Sequence, residues 1–320
     1  MTEITAETIS QAHQRIQHYI HRTPVLTSQT LNDLTGAEIF FKCENFQKVG
    51  AFKIRGGMNA VLSLPEEKRK NGIATHSSGN HAQAIALAAK TVGVKAYIVM
   101  PDNSPKVKVA AVAGYGAEIT FCQANQQARE STLQAIVERT GAEFIHPYNN
   151  YQVIAGQATC AKELIEDVTD LQVLIAPVGG GGLLAGTALS AHFFADNLQV
   201  FAGEPEGAAD AVLSFKSGKV EKAPFVNTIA DGLLTTLGDK TLPIIQHHVT
   251  DIFTVSDEEI LAAMRLIWER MKIIIEPSCA VPLAALLKNK TQFAGKRIGI
   301  ILSGGNVDLE KIAVLLLQKP

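Results

Sequence analysis

Lys53 stands between two apolar residues in Gly50-Ala51-Phe52-Lys53-Ile54-Arg55-Gly56. An ammonium among such neighbours loses solvation and shifts toward the neutral amine, the form that attacks a carbonyl. Two other stretches offer sites for anions. The residues VLIAPV, then Gly179, Gly180, Gly181 and Gly182, then LLAGTALSAHFF from Leu183, read as strand, turn and helix. Backbone N–H groups exposed at that helix start can cradle a phosphate. His76-Ser77-Ser78-Gly79-Asn80-His81 likewise follows a short strand and opens a helix. Its hydroxyls and amide suit a carboxylate. Simple helix capping by Ser77, Ser78 or Asn80 explains one of the three, not all of them.

The glycine run alone leaves its ligand open. Gly180-x-Gly182-x-x-Ala185, with Glu204 about 20 residues on, matches a dinucleotide fingerprint and points to NAD. Four glycines also fit a single phosphate without any adenosine, or a tight turn and nothing more. The acidic turn Glu204-Pro205-Glu206-Gly207-Ala208-Ala209-Asp210 has a matching ambiguity. Its two carboxylates and one backbone carbonyl can supply oxygens to a hard divalent cation, or it is an ordinary acidic strand end. Under the NAD reading Glu204 binds a ribose hydroxyl instead, and the two assignments exclude each other.

These groups need a scaffold, and the sequence repeats one kind of unit: GIATHSS then GNHAQAIALAAK, KAYIVMP then KVKVAAVAGYG, AEITFC then a helix, QVFAGEP then another, and RIGIILSGGN near the end. Their strands are apolar at both parities, as in a parallel sheet covered on both faces. The fold expected is α/β, with two doubly wound lobes and a cleft between them. The large lobe is read as residues 1–71 and 150–320, and a small, mobile substrate lobe as residues 72–149. Residues 171–195 carry no charge and are long enough to reach across a bilayer core of about 30 Å. Pro177 and the four glycines exclude a spanning helix there.

Composition narrows the function classes. A chain of 320 residues with 47% hydrophobic residues and a net charge of −2 can bury substantial cores but has no basic surplus for nucleic acid. The amino terminus, MTEITAETISQAHQRI, lacks the basic start and apolar core of a signal peptide, so a cytoplasmic location is expected. Cys43, Cys122, Cys160 and Cys279 show no C-x-x-C spacing and read as free thiols.

A lysine for an imine, a phosphate site, a partner for the ring nitrogen and a place for an amino acid's carboxylate are together what pyridoxal phosphate requires. Gly50 to Gly56, Ser77 to His81, Gly179 to Gly182 and Ser303-Gly304-Gly305-Asn306 carry a resemblance covering essentially the whole chain. The sequence resembles a fold-type-II pyridoxal-phosphate enzyme, similar to the serine racemase and serine/threonine dehydratase group. The resemblance implies that Lys53 bonds the cofactor's aldehyde and Phe52 packs on its ring. Asn80 meets the phenolic oxygen, Gly179 to Leu183 hold the phosphate, and Ser303 meets the pyridine nitrogen. Ser77, Ser78, Asn80, His81, Arg129 and Thr235 are implied around the substrate. Glu204, Asp210 and the Ala208 carbonyl are implied around magnesium, with calcium or manganese as substitutes, and a homodimer is implied. Two departures are Ala51, where serine is usual, and Ala158, where glycine is common.

Serine holds a pyridinium less firmly than a carboxylate does, so the ring is a weaker electron sink. Elimination of a β-hydroxyl and racemisation both fit it. Ser78 matches the second base of racemases, on the face opposite Lys53. Arg129 matches an arginine of racemases and hydroxyaspartate dehydratases, although from its local sequence it is as readily a surface residue paired with Glu130. The activity expected is serine racemisation with serine and threonine dehydration. The alternative is an ammonia-lyase dedicated to L-threonine, L-serine or threo-3-hydroxyaspartate, with an NAD-dependent dehydrogenase as the remote one. No regulatory unit is read after the last strand and helix, so a catalytic body alone is expected.

Overall fold

The structure is a computed structural model describing residues 4–77 and 79–317; Ser78 lies outside the described residues. Within them, ten strands form two sheets: β1 (Val25–Leu26), β2 (Glu38–Cys43), β3 (Ile73–His76), β4 (Ala96–Pro101), β5 (Glu118–Cys122), β6 (Glu143–Phe144), β7 (Val173–Pro177), β8 (Gln199–Pro205), β9 (Asp251–Val255) and β10 (Arg297–Leu302). The larger sheet runs β1-β2-β10-β7-β8-β9 and the smaller β5-β4-β3-β6. All pairs are parallel except β1 with β2. That antiparallel edge departs from the all-parallel reading. β1 has two residues and gives a sequence pattern almost no length to register.

Apolar residues at both parities do face two cores. In β7, Val173 and Ile175 join the cluster on one face, while Leu174 and Ala176 join the cluster on the other. β5 differs, being half exposed at the edge of the smaller sheet. Residues 171–195 resolve into β7, the glycine turn and a helix over Gly182–Phe194. Among the described residues no helix is long and apolar enough to cross a membrane. All four cysteines are free, and Cys43, Cys160 and Cys279 are buried.

The helix that begins at Lys53, Lys53–Ser63, is wedged between Tyr151–Asp167 and Asn80–Thr91. Its crossing with Tyr151–Asp167 is made by two glycines. A Cβ on Gly56 would lie 2.7 Å from the Val153 carbonyl, and one on Gly156 would lie 2.5 Å from the Arg55 carbonyl. Neither helix admits a side chain there. Both departures from the family pattern are accommodated nearby. Ala158 is fully buried opposite Gly186, and Ala51 is buried and bridges Gly304 in an antiparallel pair.

Candidate active site

The carboxyl ends of β3, β7 and β10 converge on one cavity of about 140 Å³, lined by Lys53, Ser77, Asn80, Gly179 to Leu183, Thr235 and Ser303 among others. Such a position, beyond the strand ends of parallel sheets, is where α/β folds bind ligands. The residue directly after β10 also fixes the lysine, because the Phe52 N–H donates to the Ser303 carbonyl at 3.0 Å. Lys53 Nζ donates to the Pro147 carbonyl at 3.2 Å and lies 5.1 Å from the centre of the Phe52 ring. Burial lowers its pKa to about 8, against the partial restoring pull of Glu276. A substantial fraction is therefore the neutral amine near physiological pH.

The glycine run forms an open cradle. Gly181, at φ +86°, is the N-cap of Gly182–Phe194 and no side chain caps that helix, leaving its first N–H groups available to an anion. Gly180 is needed for a different reason, since a Cβ there would fall 2.3 Å from the Tyr148 ring. Thr241 Oγ1 donates to the Gly180 carbonyl at 2.9 Å and pins the turn from behind.

The second cradle is not a simple cap. Gly79 is the N-cap of Asn80–Thr91 with no side-chain capping bond, and Ser77 Oγ accepts from the Gly79 N–H at 3.2 Å instead. Asn80 Nδ2 donates to Glu276 Oε1 at 2.8 Å, and Asn80 Oδ1 accepts from Asn306 Nδ2 at 2.9 Å. His81 is buried, with its Nε2 3.4 Å from the Ile145 carbonyl. Burial, then Lys53, keeps its imidazole neutral. His146 is neutral too, with a pKa of about 4 caused by burial, His76 and Lys53. Its Nδ1 accepts from the Tyr148 and Asn149 N–H groups. Arg129 also lines the cavity. Its Nε is buried without a hydrogen-bond partner among the described residues, and the surface pairing with Glu130 is not made there: Glu130 accepts from Gln126 instead.

The acidic turn lies apart from the cavity. Glu204 is 1% exposed, and its carboxylate accepts from the Ala211 and Val212 N–H groups at 2.6 and 2.9 Å, at the start of the helix Asp210–Ser217. Buried on those bonds, it is not presented to a ribose, and the NAD reading of Glu204 is corrected here. Burial raises Glu204 to about 8 and Asp210 to about 6. Asp210 Oδ2 accepts from the Leu237 N–H at 3.2 Å, and the Leu237 side chain packs on Gly181. Among the described residues no group of three or more His, Cys, Asp or Glu is arranged to hold a metal ion.

The open helix start, the lysine whose pKa burial lowers to about 8 and the buried Ser303 fit pyridoxal phosphate as one set. When bound, that cofactor supplies an electron sink for charge at an amino acid's Cα. A family model for "Pyridoxal-phosphate dependent enzyme" matches residues 16–304, and the chain belongs to that family. Among its relatives, the chain is 51% identical to serine racemase of Dictyostelium discoideum over 99% of both proteins. It is 50% identical to β-hydroxyaspartate dehydratase of Paracoccus denitrificans, over 96% of this chain and 98% of that protein. The solved structure of maize serine racemase superposes with a TM-score of 0.94 at 44% identity, over 97% of this chain and 96% of that one.

Several cavity residues escaped the sequence reading: Glu276, Lys108, Asp231 and Tyr148. Glu276 had a signal, since it is the sole charged residue between Lys272 and Lys288. Lys108 had none; KVKVAAV resembles any solvated helix start. Yet Lys108 is 7% exposed and its Nζ lies 2.5 Å from Asp231 Oδ2.

Proposed function

We propose that the protein is a pyridoxal-phosphate-dependent serine racemase that also dehydrates small β-hydroxy amino acids. The observation that carries this reading is the Lys53 amine, its pKa lowered to about 8 by burial, in a cavity that also holds the open glycine cradle and Ser303. The names of relatives at about half identity over nearly the whole chain support it. Lys53 takes and returns the Cα proton on one face. Ser78, outside the described residues, takes that part on the other. Ser77, Asn80, His81 and Thr235 bind the substrate, its carboxylate at the start of Asn80–Thr91. Residues 72–149 form a lobe that closes on it.

A cation, magnesium or in its place calcium or manganese, is proposed at Glu204, Asp210 and the Ala208 carbonyl. Two carboxylates there are buried and form no ion pair with Lys or Arg among the described residues, a donor set of hard oxygens short of positive charge. Ordering Asp210 would order Leu237 and with it the glycine cradle. A cytoplasmic homodimer completes the proposal. One observation favours the second reading, an ammonia-lyase on threo-3-hydroxyaspartate: the unpartnered, buried Arg129 Nε in the cavity wall suits a second carboxylate.

The test incubates the holoenzyme with L-serine, D-serine, L-threonine and threo-3-hydroxyaspartate, with and without magnesium, following keto acid and enantiomer together. Ser78→Ala is expected to suppress L-to-D conversion and elimination from D-serine far more than elimination from L-serine. Equal loss of all three rates would transfer the name to the ammonia-lyase. Activity indifferent to chelation removes the cation from the reading.

A further inference from the structure

The cavity holds a carboxyl for which the proposed reaction has no use. Glu276 is 3% exposed and precedes Pro277 at the start of Pro277–Lys288. Its Oε1 accepts from Asn80, whereas its Oε2 is buried with no hydrogen-bond partner among the described residues. A buried carboxyl oxygen left bare loses its hydration without replacement, so its placement opposes stability.

The bonds around it have one consistent direction. Asn306 Nδ2 donates to the Val49 carbonyl at 2.7 Å and to Asn80 Oδ1 at 2.9 Å, which uses both its hydrogens. The Asn80 oxygen is thereby held on the Asn306 side and its NH₂ on the Glu276 side. One of those hydrogens goes to Glu276 Oε1. The other remains for the cavity that Asn80 lines.

We infer that Glu276 is a positioning residue for the cofactor's ring oxygen: together with Asn306, it fixes the Asn80 amide so that an N–H, not the carbonyl, faces that oxygen. The inference rests on the pyridoxal-phosphate reading above and names the group that sets one of its contacts. Without Glu276 the Asn80 amide is anchored from one end only and is free to rotate. An acceptor turned toward an electron-rich ring oxygen repels it.

The charges that face Glu276 come from three elements, and one further titratable group lies on its own helix. Lys108 is on the helix Lys106–Gly114, Asp231 on the turn Asp231–Leu233 and Lys53 on the helix Lys53–Ser63, whereas the Cys279 thiol, one turn along from Glu276, is kept neutral by burial. Burial raises the Glu276 pKa, Lys108 pulls it back, Asp231 raises it again, and the result is about 7. The carboxyl therefore changes charge across neutral pH, and its anionic form grips Asn80 more strongly.

The test reads the cofactor's visible absorption in the holoenzyme from about pH 5.5 to 9, and the cofactor's dissociation constant. The wild-type band is expected to change as Glu276 ionises, above the ordinary carboxyl range because burial raises it. Glu276→Gln keeps an acceptor for Asn80 but cannot ionise, so it should bind cofactor within about twofold of wild type and lose that transition. Glu276→Ala, and Asn306→Asp from the other end of the chain of bonds, should weaken cofactor binding about tenfold and shift the band. A wild-type band, pH response and affinity in Glu276→Ala would overturn the inference. If that variant does not fold, a wild-type transition in Glu276→Gln overturns it equally. Loss of the band in Lys53→Ala with a normal transition in Glu276→Gln sinks this inference alone; a wild-type band in Lys53→Ala sinks the cofactor reading beneath it.

Discussion

Lys53 and Arg55 sit two residues apart on one helix and live in opposite electrostatic regimes. Arg55 is fully buried with all five N–H groups used: Nε and Nη2 reach Glu44 at 2.7 and 2.8 Å, Nη1 and Nη2 reach Glu163 at 2.8 Å each, and Nη1 reaches Thr159 at 3.1 Å. Lys42 Nζ adds a contact to Glu163 at 2.7 Å, so two cations face two carboxylates. Burial opposes the charges of Arg55 and Glu163, but their partners outweigh it, and Arg55 is driven further up while Glu163 is held down to about 2. In the cavity Lys53 and Glu276 have no ion-pair partner among the described residues. There burial prevails, bringing Lys53 down to about 8 and Glu276 up to about 7. A satisfied buried cluster fixes structure; an unsatisfied one keeps its protons exchangeable where chemistry needs them.

The sharpest way to break this contrast is to remove one member of each set. Arg55→Met leaves Glu44 and Glu163 buried without their main partner and should cost about 3–5 kcal/mol of stability in urea unfolding. Lys53→Ala should abolish turnover while unfolding within about 1 kcal/mol of wild type, because it deletes a charge that burial disfavours. If the two variants lose stability alike, the distinction between the regions is wrong.

Acid and alkali should separate the regions with opposite signs. Glu163 has a folded pKa of about 2, below its ordinary 4.5, so the folded state binds fewer protons in that window. Its contribution, on the order of 3 kcal/mol, is present above about pH 4.5 and is lost as pH falls toward 2. Lys53 has a folded pKa of about 8 against an ordinary 10.5. Between those values the unfolded chain holds the extra proton, and the cofactor-free protein should gain stability as pH rises. Unfolding curves taken at both extremes check this. A protein whose stability is flat from pH 4.5 to 2 would show that Glu163 is not held by Arg55.

The sequence revealed these two regions unequally. Gly179 to Gly182 and Ser77 to His81 are local: strand, turn and helix start lie within one short stretch, and their chemistry follows from backbone N–H groups in register. Lys53 was legible because an ammonium between Phe52 and Ile54 is locally odd. Arg55 was not, since its partners lie 11 and 108 residues away and a lone arginine after a lysine looks solvated. Lys108 was hidden for the same reason, its partner Asp231 being 123 residues distant. The parallel sheets were readable from runs of β-branched residues, whereas the two-residue strands β1 and β6 carry no period at all. Pairings across the cleft belong to the fold and have no spacing in the chain.

Lys108 supplies the finest test, because its ion pair with Asp231 lies in the cavity wall and its charge also faces Glu276. Its partner's side chain is 45% exposed, so the pair is screened by water and should contribute only about 0–1 kcal/mol to stability. Its larger effect is on Glu276, for which it is the leading charge that lowers the pKa, whereas Asp231 raises it. Lys108→Met should therefore move the Glu276 ionisation upward, and Asp231→Asn should move it downward. Neither variant should approach the stability loss of Arg55→Met. The measurement is the carboxyl's own titration by infrared difference spectroscopy in the cofactor-free protein, with Glu276→Gln identifying the band. Opposite shifts at nearly constant unfolding midpoint would place the control of this proton in charges contributed from both sides of the cleft. Shifts of the same sign, or none, would mean that burial alone sets it and that the Lys108–Asp231 pair has no part in it.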